Sequence, residues 1–207
     1  MASRAGKQLL TRQDWIDAAL RALAADGDVR AVAVDRLAKS LGATRGSFYW
    51  HFTDRDDLVM AALEQWEREN TTALIPPLET IADPVERLRA LFREVYEQRV
   101  DAIEIALASA GDQPLVEPVF ARVTKARLDV LRRIFTDLGL PEADVDDRAW
   151  LGYALYIGHH QLTRATEIRA LRPEHLDRLV DLLTSPAGRT AQPAAAAGAG
   201  GPGEGST

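Results

Sequence analysis

The chain contains no cysteine, which excludes disulfides, thiol catalysis and thiolate-bound metals. It also lacks a long hydrophobic run. The longest nearly apolar stretch, Ala149 to Gly158, falls far short of the roughly 18 residues that cross a bilayer, so no membrane partner is expected. The first residues carry Arg4 and Lys7 but no apolar segment of the kind a signal peptide needs, and the expected location is cytoplasmic. No Gly-rich phosphate loop, no Ser/His/Asp order with a local signature and no metal-ligand spacing is present. His159 and His160 are adjacent, so on a helix they point ~100° apart and cannot jointly grip one metal. Neither has a His, Asp or Glu four residues further on. The expectation is a protein that is not an enzyme and carries no cofactor.

The 207 residues are 46% hydrophobic and 27% charged, ordinary values for a globular protein able to bury a real core. The net charge of −6 is unevenly divided. Residues 1–55 hold nine basic and six acidic side chains, a balance of +3, which leaves −9 for the remainder. A basic N-terminal part and an acidic remainder would orient the molecule on a polyanion. Ordinary scatter of surface charge gives the same numbers, so the asymmetry is supporting only.

The densest signal lies between Val34 and Leu58. Val34, Leu37, Ala38 and Leu41 fall at i, i+3, i+4 and i+7, one apolar helix face. Gly42 follows where a helix end wants a residue that tolerates φ > 0. Thr44 can cap a second helix, about Arg45 to His51. So short a helix is unstable alone. Phe48 and Phe52 supply its buried edge, and Arg45, Ser47, Tyr49, Trp50 and His51 lie on the other side. A short helix fixed by its back, with donors and aromatics on its front, is what a helix-turn-helix offers to the major groove.

The run Leu37-Ala38-Lys39-Ser40-Leu41-Gly42-Ala43-Thr44-Arg45-Gly46-Ser47-Phe48-Tyr49-Trp50-His51-Phe52, followed by Thr53-Asp54-Arg55-Asp56-Asp57-Leu58, resembles the DNA-binding domain of TetR-family transcriptional regulators. The likeness covers about residues 9 to 60. Arg55 departs from it, since Lys is commoner there, but either cation can meet a phosphate. The resemblance implies an all-α fold, with an N-terminal three-helix helix-turn-helix domain joined to a larger helical ligand-binding and dimerisation domain. It also implies a homodimer in which the last two long helices of each subunit form a four-helix interface.

Along the chain, residues 1–10 read as a flexible arm. The DNA-binding domain follows over 11–55, an effector-binding and dimerisation domain over 56–184, and a disordered Ala/Gly/Pro tail over 185–207. Thr11 and Asp14 form a capping box for the first helix, and Thr53 and Asp56 repeat the pattern for the fourth. Pro76-Pro77 stops the fourth helix. Further helices are expected from Asp83-Pro84, over Ala102 to Ala110, from about Val116 to Leu138, from Asp144 to about Thr166, and from Pro173. The helix from Asp144 is apolar on nearly every side between Ala149 and Gly158, so more than one face must be covered. A central helix in a monomer satisfies this. So does a helix with one face on a second subunit, the reading favoured here, with Gly152 and Gly158 admitting a neighbouring backbone. Leu176, Leu179, Val180 and Leu183 give the last helix a narrow apolar stripe.

The candidate DNA-binding residues are Thr44, Arg45, Gly46, Ser47, Tyr49, Trp50, His51 and Arg55. Arg45 suits bidentate bonding to guanine or a phosphate contact. Gly46 lets the backbone approach the groove or serves simple packing. Tyr49 and His51 can donate to phosphate or pack on thymine methyls, and His51 can instead be a strut between helices. Thr44 and Arg55 stand at helix N-termini, which favour a phosphate. If the resemblance extends to the C-terminal domain, Trp66, Phe92, Tyr96, Leu107, Phe120, Trp150, Tyr153 and His159 are candidates to line an effector pocket, against a plain role in the core.

The expected function is a ligand-responsive repressor that binds double-stranded DNA at an inverted repeat as a homodimer and is released by a small-molecule effector. The alternative is a DNA-bound structural or protein-partner factor without a pocket. A cavity of roughly 300 Å3 or more would separate the two.

Overall fold

The computed structural model describes residues 10–97, 102–109, 113–165 and 173–185. The expected arm and tail lie almost wholly outside them. Among the described residues the fold is all helical. In order these are α1 (Arg12–Asp26), a 3-10 turn (Val29–Ala31), α2 (Val34–Ser40), α3 (Arg45–Phe48), α4 (Arg55–Asn70), a second 3-10 turn (Thr72–Leu74), α5 (Ile75–Glu79), α6 (Pro84–Glu97), α7 (Ala102–Ser109), α8 (Glu117–Asp137), α9 (Glu142–Ala165) and α10 (Pro173–Thr184).

Local chemistry sets the starts and stops. The Asp14 amide donates to Thr11 Oγ1, and the Thr11 amide donates back to Asp14 Oδ2 at 2.7 Å, so the capping box forms as expected. Gly42 has φ +63, and a Cβ there would meet no atom within 4 Å. Glycine is therefore needed for its left-handed backbone, not for space. The regular part of α3 stops at Phe48, earlier than expected, although the His51 and Phe52 amides still donate to the Phe48 carbonyl. The cap of α4 is Asp54 rather than Thr53: its carboxylate accepts from the Asp57 amide at 2.9 Å, while Asp57 accepts from the Thr53 amide. Pro76-Pro77 does not end α4, which stops at Asn70. The prolines instead occupy the opening positions of α5, where a missing N–H costs nothing.

Two apolar cores result. The first joins Trp15, Ala19 and Leu23 of α1 to Leu37, Phe48, Phe52, Leu58, Ala62 and Trp66, and continues into Ile103 and Leu107 of α7 and Val119 and Val123 of α8. Each fully buried large side chain contributes about 1.5–3 kcal/mol. The second core holds Leu88, Phe92 and Tyr96 of α6 with Val130, Leu131, Ile134 and Phe135 of α8, Ala149 of α9, and Leu176, Val180 and Leu183 of α10. The first half of α8 belongs to one core and its second half to the other. Likewise α4 packs on α1, so an expected boundary at residue 55 cuts between α4 and the core it completes.

Candidate nucleic-acid interface and effector cavity

The back of α3 is anchored by rings. Phe48 is fully buried, edge-on to Trp15 at 5.3 Å and stacked on Phe52 at 5.6 Å. This leaves the front free. Trp50 is 87% exposed and Tyr49 55%, both unusual for large aromatics. Thr44, Arg45 and Gly46 are exposed, and Ser47 is half-buried. Thr44 caps α3 by accepting from the Ser47 amide, and Ser47 Oγ donates to the Thr44 carbonyl at 2.9 Å. A Cβ on Gly46 would meet only Thr44 Oγ1, at an ordinary 3.7 Å, so nothing inside the chain requires glycine there. Arg45 pairs with Asp35 of α2 at 3.1 Å, both side chains being well exposed. Such a surface pair is worth at most ~1 kcal/mol, less than a good base contact at about 1–3 kcal/mol, so it does not hold Arg45 back.

Two further members of the expected DNA set, Arg55 and His51, bond to backbone carbonyls distant in sequence. Arg55 turns inward from the first turn of α4. Its Nε donates to the Val32 carbonyl at 2.8 Å, and its Nη2 donates to the Val29 carbonyl. Its remaining end pairs with Asp56 at 2.7 Å. The guanidinium thus ties the loop before α2 to α4, a structural role that stands beside the expected phosphate contact. Both carbonyls lie at the 3-10 turn ahead of α2, and the Val29 carbonyl also accepts from the Val32 amide at 3.2 Å. His51 lies half-buried with Nε2 3.0 Å from the Leu10 carbonyl, which fits the strut between elements.

The second site is a cavity of about 60 Å3 at the junction of α4, α5, α6, α8 and α9. Its walls are Leu74, Ile75 and Leu78 below, Leu91, Phe92 and Val95 on α6, Val130 and Leu131 on α8, and Gly152, Tyr153 and Tyr156 on α9. Asn70, Thr71 and Arg127 supply the polar part of the lining. The volume holds a few waters and is well below the roughly 300 Å3 of a drug-sized site.

Arg127 dominates this region. It forms a short ion pair with Glu104, whose side chain is fully buried. Arg127 Nε donates to Thr71 Oγ1 at 3.1 Å and Nη2 donates to the Asn70 carbonyl at 3.1 Å, both at the end of α4. Its guanidinium carbon lies 5.6 Å from the Trp66 ring centre and 5.5 Å from that of Tyr156. Burial works to lower the Arg127 pKa, but the Glu104 carboxylate, together with Tyr156 and Tyr153, outweighs it and holds the pKa above its ordinary value. The Tyr153 hydroxyl donates to Glu104 at 3.1 Å, and its pKa is pushed up to about 12, by burial first and the Glu104 charge second.

Of the eight expected pocket residues, Phe92 and Tyr153 line the cavity. Trp66 lies buried behind Arg127. Tyr96 is buried in the second core against Phe92, and burial raises its pKa; among the described residues its hydroxyl has no partner. His159 stands half-buried over the Tyr96 ring at 5.0 Å, away from the cavity wall. Leu107 and Phe120 belong to the first core, because α7 packs on α1 and α8 meets α4. Trp150 is 64% exposed on the outer side of α9. These last three are corrections: helical spacing places a side chain on a face but does not say which neighbour the face meets.

The outer side of α9 also exposes Leu151, Leu155 and Leu162, and α10 exposes Leu182. Gly152 faces inward, where a Cβ would meet Leu131 and Leu183 at 3.6 and 3.7 Å, whereas Gly158 has open space. Only Gly158 therefore suits the expected close approach of a second backbone. Among the described residues no cluster of three or more potential metal ligands occurs, and no helix is long and apolar enough to cross a membrane.

The residues missed by sequence reasoning are Arg127 and Glu104. A signal was present. Arg127 interrupts the apolar series Val123, Leu131, Ile134, and Glu104 lies within the mostly apolar Ala102 to Ala110. Charges in buried registers imply each other.

Residues 16–62 match the model of the bacterial regulatory proteins of the tetR family. The chain is 37% identical over 94 residues to the HTH-type transcriptional regulator AcrR of Shigella flexneri, a match that covers 44% of this chain and 42% of that protein. The chain thus matches less than half the length of this curated relative. Among solved structures, the reduced form of NemR from E. coli superposes with a TM-score of 0.69 at 14% identity, covering 83% of this chain and 94% of that one. AibR in complex with isovaleryl coenzyme A and operator DNA superposes with a TM-score of 0.63 at 20% identity, covering 84% and 98%. At these identities the structures establish a shared fold.

Proposed function

We propose that this chain, a TetR-family protein by its N-terminal domain, is a ligand-responsive DNA-binding regulator that acts as a repressor. It would bind an inverted repeat as a homodimer through α9 and α10 and be released by a small-molecule effector. The observation that carries this reading is the front of α3, where Arg45, Tyr49 and Trp50 stand exposed on a helix locked from behind by Phe48 and Phe52. One such helix makes few base contacts at about 1–3 kcal/mol each, so two copies about one DNA turn apart are needed for specificity. The exposed leucines of α9 support the dimer. AibR, which shares the fold, was solved with operator DNA and a small molecule together, and this supports an effector-linked reader.

The route from effector to DNA runs along α4. Its first turn holds the loop before α2 through Arg55, and its last residues are held by Arg127 at the cavity. An effector that favours a displaced α4 weakens DNA binding by its differential affinity, typically about 1–3 kcal/mol. A cavity of about 60 Å3 favours the second reading, a DNA-bound factor without an effector. The deciding experiment is selection of genomic duplex fragments on the purified protein, followed by sequencing. Enrichment of one inverted repeat is expected, and uniform, strongly salt-dependent retention would defeat the regulator reading.

A further inference from the structure

The cavity has an unusual electrical character. Its lining is apolar apart from one end, and Arg127 is the single charged side chain among the described residues that line it. That charge is already met by buried Glu104. A guanidinium carries five N–H donors. Glu104, Thr71 and the Asn70 carbonyl take three of them, which leaves two among the described residues.

We infer that the cavity takes an uncharged, largely apolar molecule bearing one hydrogen-bond acceptor, such as a ketone or ester oxygen, seated on Arg127. This rests on the reading of the cavity as an effector site. An anion at Arg127 would place a second negative charge beside the buried Glu104 carboxylate in a water-poor site, and the two like charges would repel. A cation would meet the Arg127 charge at the only polar end. A neutral acceptor satisfies the remaining donors and leaves the ion pair intact, while the aliphatic body lies on Leu74, Leu91 and Val130.

The ligand also acquires leverage. Arg127 holds the end of α4 through Asn70 and Thr71, and it holds Glu104 on α7, whose neighbours Ile103 and Leu107 pack in the core of the DNA-binding domain. An acceptor that reorients this guanidinium therefore acts on two elements that seat that domain. A molecule larger than the present 60 Å3 must displace part of the lining, which includes Ile75 and Leu78 of α5, a five-residue helix with prolines at its second and third positions.

The test is ligand-observed NMR titration of the full chain at pH 7 with hexan-2-one, hexanoate and hexylammonium, probes of similar length that differ in charge. Hexan-2-one is expected to bind at least about tenfold more tightly than either ion. Leu91→Trp, which fills the cavity, should abolish its binding. Arg127→Lys, which keeps the charge opposite Glu104 but loses the fork, should weaken it about tenfold, the value of one charge-assisted hydrogen bond. Equal or tighter binding of hexanoate, no binding of the ketone, or ketone binding indifferent to both variants would overturn the inference. The comparison among the three probes uses the unmodified protein and so survives poor folding of a variant. Retention of the selected DNA is measured in parallel. A ketone that binds in the cavity without changing DNA retention upholds the ligand class and defeats the effector reading. Hexanoate that binds and releases DNA does the reverse.

Discussion

Arg127 of α8 and Glu104 of α7 form an ion pair, with the Glu104 side chain fully buried and that of Arg127 15% exposed. The pair joins helices from both cores and borders the cavity. Removing one partner strands the other charge away from water. Arg127→Met is expected to cost about 3–5 kcal/mol, and the double variant Arg127→Met with Glu104→Gln less than the sum of the two singles. Urea denaturation of the four proteins reads this directly. Additive losses would mean that the two residues are independent.

Arg55 illustrates a structural role in a position that invites a DNA-binding one. Its bonds to the Val29 and Val32 carbonyls brace the loop ahead of α2. Arg55→Ala should lower stability by about 2 kcal/mol, as expected for hydrogen bonds from a charged donor. The slope of log K against log salt for DNA binding should stay at its wild-type value. A slope shallower by about one unit, with stability unchanged, would establish the phosphate contact.

What could be read from the chain divides along physical lines. Helix starts and stops were legible where local chemistry decides them: the Thr11–Asp14 box, the positive φ at Gly42, the Thr44 cap. So was the buried edge at Phe48 and Phe52, because a short helix needs one. Illegible features depend on partners distant in sequence. Arg127 meets Asn70, 57 residues away, and Arg55 meets Val29. Trp150 and Tyr153 share one helix that is apolar all round, and only the packing of α8 distinguishes outside from inside. Pro76-Pro77 looked like a stop because proline ends helices and begins them equally well.

The proposed dimer makes a prediction about α9. Leu179 of α10 is half-buried against the second core, so a charge there would damage the subunit as well as any interface. Leu155 is the better probe, since it is already exposed beside Leu151 and Leu162. Leu155→Asp should leave helix content and Tm of the subunit near wild type and halve the mass seen in sedimentation. An unchanged dimer mass would exclude this face.

His159 gives the protein a sensitivity to acid. Burial lowers its pKa below the ordinary 6.5, so the unfolded chain takes up this proton before the folded one does. The group's contribution to stability is complete above pH 6.5 and is lost as pH falls toward the folded pKa. The Tm of the wild type should therefore drop more between pH 7.5 and pH 5.5 than that of His159→Gln. Parallel curves would show that the ring carries its proton equally in both states.

Arg45 and Asp35 bear on how the proposed interface reads sequence. Their exposed pair at 3.1 Å aims the guanidinium but binds it weakly. Asp35→Asn should change affinity for the selected repeat by less than about fivefold, the equivalent of ~1 kcal/mol. Arg45→Ala should cost about 1–3 kcal/mol on that repeat and little on unrelated duplexes, so that preference relaxes at one base pair of each half-site. Competition binding with single-base variants of the repeat measures both. If Arg45→Ala instead weakens every duplex alike and makes the salt slope shallower by about one, Arg45 meets a phosphate, and sequence reading passes to Tyr49 and Trp50 on the same exposed face.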